Sequence, residues 1–152
     1  MLAVCTVCPG AAPEPIITCS RQLSAPLYLT HEMVAPFDSP GIGLTNLLAA
    51  KYQFVPQGLV FQAVPDREFH QPVALRLLIR GLNDSTMMFE SDDVVKLKVL
   101  PAYVAMLQNL GLYLAAHNQH RQAIEAFMQA LALEPANSRV QRSLEASLKA
   151  FP

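Results

Sequence analysis

The sequence is short of charge. Only 15% of its 152 residues are Asp, Glu, Lys or Arg, and 11 basic against 12 acidic side chains leave a formal net charge of -1. That balance gives no footprint for nucleic acid or for an anionic membrane surface, both of which call for a basic excess. Cysteine is also scarce. There are 3, an odd number that cannot complete a disulfide framework. Cys5 and Cys8 form a C-x-x-C, but a zinc site of this kind needs a second pair and only Cys19 remains. The pair precedes the Pro-rich stretch Pro9 to Pro15, so residues 1–16 read as a disordered leader. Met1 to Val7 lacks the basic start of a signal peptide and is too short for one, and Leu2 to Cys5 matches a lipoprotein cleavage box only loosely.

Catalytic spacings are missing as well. His31 and Glu32 follow an expected strand, and Asp66, Glu68 and His70 form a second polar cluster. Neither has the spacing of a nucleophile with its base, a metal site or a phosphate loop, and solvated loop groups explain both. A soluble-enzyme reading would rest on those clusters alone; no catalytic residue, metal or other cofactor is expected.

What the chain does have is a packing pattern near its C-terminus. Leu107, Leu110, Gly111, Ala123, Phe127, Ala130 and Pro135 fall on the large and small positions of a tetratricopeptide repeat, a helical hairpin of about 34 residues. Gly111, Ala123 and Ala130 let two backbones approach so that Leu107, Leu110 and Phe127 interdigitate. Pro135 ends the second helix because it lacks an N–H and biases its predecessor away from helical geometry. The spacing predicts helices over Ala102 to His117 and His120 to Leu133, with Asn118 and Gln119 between them. A third runs from Ser138 to Ala150, capped by Asn137, with Val140, Leu144 and Leu148 along one face. Stepping back one period reaches Leu77 and Phe89, and stepping forward puts Glu145 at the glycine position, so there is no second repeat. Stacked repeats need about three units, and the open face must be buried elsewhere. The uncharged run Val99 to Ala116 approaches the roughly 20 residues that span a bilayer, but Pro101, Gln108, Asn109 and Gly111 favour the repeat, and no transmembrane helix is expected.

Residues 17–90 follow a different pattern. Pro26 to Thr30 reads as a strand, Pro36 to Gly43 as a loop, Leu44 to Tyr52 as a helix, and Phe54 to Val64 as a strand pair or one bent strand, with Gly58 at the turn. Strand, helix, strand suggests a small α/β layer with a crossover. Leu75, Leu78, Ile79 and Leu82 follow helical spacing, with Arg76 and Arg80 on the other side. The arginines form either a solvated face or a site for a carboxylate or phosphate. Ser91 is positioned to cap a helix whose first turn carries Asp92 and Asp93, and Pro101 either kinks that helix or begins the next. The expected fold class is α+β, mostly helical: a small α/β segment at 17–90, then a TPR-like helical segment at 91–152 packed on it as one unit and closed by a C-terminal capping helix.

PLYLT, FVPQGLVFQAVP, IRGLND, LGLYL and AIEAFMQALALEP occur here in the same order as in the soluble C-terminal segment of certain bacterial multi-spanning membrane proteins. That family resembles protein O-mannosyltransferases and related lipid-linked-sugar glycosyltransferases, and the resemblance covers roughly Ile17 to Phe151. It implies a non-catalytic accessory domain, since the catalytic carboxylate of such enzymes lies in a loop between transmembrane helices. The implied partner is a protein, the membrane-embedded glycosyltransferase-like segment, and the implied location is at the membrane through the parent protein or a partner. The alternative is a free-standing, cytoplasmic repeat adaptor that binds a peptide. The groove face of its first helix would carry Ala105, Gln108, Leu112, Ala115 and Ala116, without the charged clamp that grips a C-terminal carboxylate. Gln108, Leu112, Arg76 and Arg80 are the candidate partner-binding residues.

Overall fold

A computed structural model of the chain describes residues 26–30, 51–73 and 93–151. The described residues form three strands, β1 (Leu27–Thr30), β2 (Gln53–Gln57) and β3 (Val60–Val64), and three α-helices, α1 (Leu100–Ala116), α2 (His120–Leu133) and α3 (Ser138–Ala150). The fold class is α+β.

The strands make one sheet in the order β1-β3-β2. Gly58, at φ 72°, supplies the left-handed residue that the tight β2–β3 turn requires. β3 also pairs antiparallel with β1, Leu29 facing Phe61, and these two buried side chains share a small core with the half-buried Leu27, Tyr52 and Phe54. β1 and β2 therefore run in the same direction with β3 between them. Pro56 cannot donate to a ladder and lies on the edge strand β2, where that loss is tolerated. The helix expected over Leu44 to Tyr52 falls mostly outside the described residues, but it does not reach Tyr52: Lys51 is in a turn, and Tyr52 leads directly into β2.

The chain divides into two compact units. One holds β1, the first part of β2, and β3 through Glu68; the other holds Pro56–Leu59 and everything from Phe69 onward. In the second unit, α1 and α2 pack on each other across a short link in which Asn118 takes the left-handed conformation at φ 61°. Their core is Leu107, Leu114, Ala123, Phe127 and Ala130, joined by Val140 from α3. A Cβ on Gly111 would lie 2.5 Å from Cε1 and 2.7 Å from Cζ of Phe127, inside any tolerable contact, so glycine is what lets the fully buried ring sit against the α1 backbone. α2 ends at Leu133, and Glu134, before Pro135, leaves helical geometry with φ -139° and ψ 83°. Asn137 caps α3, its Oδ1 accepting the N–H groups of Arg139 and Val140 at 3.2 Å.

The expected Ser91 cap lies outside the described residues, as does Asp92; Asp93 is described, and its Oδ1 accepts the Val95 N–H at 2.7 Å. Two other helical details differ from expectation. The helix then passes through a widened π turn, Val95–Val99, before α1. Pro101 accounts for it: the ring removes one donor and crowds the carbonyl four residues back, and the Leu100 N–H bonds instead to the Val95 carbonyl. The proline thus widens one helix rather than separating two. On α3 the buried positions are Val140 and Ser147, whereas Leu148 is exposed. Val140 and Leu144 pack on the core as their spacing predicts, and only the last position of the stripe moves, from Leu148 to Ser147. By length and composition, Val95–Ala116 is apolar enough to cross a membrane. Its C-terminal part nevertheless supplies the hairpin core.

Candidate functional site

The most elaborate side-chain arrangement in the helical unit joins residues 69–73 to α1. Tyr113 and His117 stand four apart on one face of that helix and meet at 4.6 Å between ring centroids. Phe69 lies over both, 6.0 Å from Tyr113 and nearly parallel to it, and 5.4 Å from His117 at a tilt. The Tyr113 hydroxyl accepts the His70 N–H and donates to the His70 carbonyl, each at 3.0 Å. Nearby in sequence, the Val73 N–H donates to Oε1 of Gln57 at 3.2 Å. Tyr113 is buried while Phe69 is half open to solvent.

This arrangement anchors backbone, the Tyr113 hydroxyl holding the main chain of His70. Asp66 accepts the Glu68 N–H through Oδ1 at 3.1 Å in a solvent-exposed turn. His31 and Glu32 lie outside the described residues, as do Arg76 and Arg80. Among the described residues, no group of three or more His, Cys, Asp or Glu side chains is placed to hold a metal ion.

Of the other candidate partner-binding residues, Gln108 is half-buried and Leu112 is exposed; Ala105 and Ala115 are half-buried and Ala116 is exposed. The structure also reveals a surface that sequence reasoning passed over. Val95, Leu97 and Val99 on the π turn, and Val94 just before it, are all exposed, interleaved with Lys96 and Lys98. Their apolar character pointed to burial, and only the path of the chain shows that nothing among the described residues covers them. The tyrosine anchor was equally hidden, because its partners are 43 residues apart. The spacing of Tyr113 and His117 on one helix face was its only sequence signal.

Set beside known protein families, curated proteins and solved structures, the chain matches none.

Proposed function

We propose that this chain is a non-catalytic accessory or interaction domain of a membrane glycosyltransferase-like protein, held at the membrane through its parent protein or a partner. In this reading residues 100–150 form a single tetratricopeptide-type hairpin with a capping helix, appended to a small α/β layer. The observation that carries it is the contrast inside the helical unit. The interior between α1 and α2 is filled by the unit's own Phe127 against Gly111, while large apolar side chains, Leu112 and Met128 among them, face outward. Such a unit offers surface rather than a reaction cavity, and exposed apolar side chains on a well-packed scaffold suit a partner.

Co-expression with a membrane-spanning glycosyltransferase-like segment, followed by detergent extraction and affinity purification, tests this reading. The two proteins should co-purify, and Leu112→Glu should reduce the recovered complex about tenfold, as expected when a charge enters an apolar contact. If no such segment is retained and a peptide screen instead returns ligands that map to Gln108 and Leu112, the adaptor function replaces this one.

A further inference from the structure

We draw no further inference here: the strongest candidate, the exposed apolar patch that Val94 and the π turn Val95–Val99 form ahead of α1, carries nothing because nothing among the described residues shows what covers it.

Discussion

The helical run from Val94 to Ala116 has two ends that look alike in composition and behave in opposite ways. Its C-terminal part buries Val104, Leu107 and Leu114; its N-terminal part leaves Val94, Leu97 and Val99 in solvent. The difference lies in what stands opposite. α2 offers Ala123 and Ala130, small enough to admit a neighbouring helix, and Phe127 to fill the space above Gly111. No element among the described residues does the same for the π turn. Hydrophobicity decides that a side chain favours burial, and steric complementarity decides whether it is buried.

The comparison breaks most severely at Phe127. Phe127→Ala should cost the helical unit about 3–5 kcal/mol, read as a lowered midpoint in denaturant unfolding followed by far-UV circular dichroism. A cost near zero would mean that the two ends are not packed differently. Gly111→Ala comes next, at about 1–3 kcal/mol, because its new methyl group meets the Phe127 ring. The same change made in a Phe127→Leu background should cost less, and equal costs in the two backgrounds would deny that the pair is coupled. Asn137→Ala removes the cap of α3 and should lower stability by about 1 kcal/mol in thermal melts. Leu97→Asp marks the other extreme: stability within about 0.5 kcal/mol of the natural chain, since the side chain is exposed. A large loss at that position would show that the turn is packed after all.

Much of the packed end could be read in the sequence, because helix–helix contact leaves a local record. Gly111, Ala123, Phe127 and Ala130 are spaced by the helical repeat, and each is buried as that spacing requires. Asn137 before a helix and Gly58 between two β-rich runs carry their own conformational logic, and both act as expected. Legibility ended where geometry depended on distant or competing partners. The Tyr113 anchor joins residues that no window of sequence holds together. Pro101 left two outcomes open, and backbone hydrogen bonding chose a third in which the helix continues but widens. Leu148 invited burial by its chemistry, yet the residue buried on that face is its neighbour Ser147. At the π turn, composition said that the side chains prefer an apolar environment and could not say which one.

The widened turn also acts as an angular coupling. Each residue of an α-helix advances the direction of its side chain by about 100°, so a change of register between Val95 and Val99 alters the azimuth at which Asp93 and Val94 face relative to the α1–α2 hairpin. Deleting one residue there would leave composition and length almost untouched and turn the leading residues by roughly a quarter of a revolution. Pro101, some 10 positions ahead of Gly111 in the sequence, thus sets the heading of the exposed turn while the glycine fixes the hairpin against which that heading is measured.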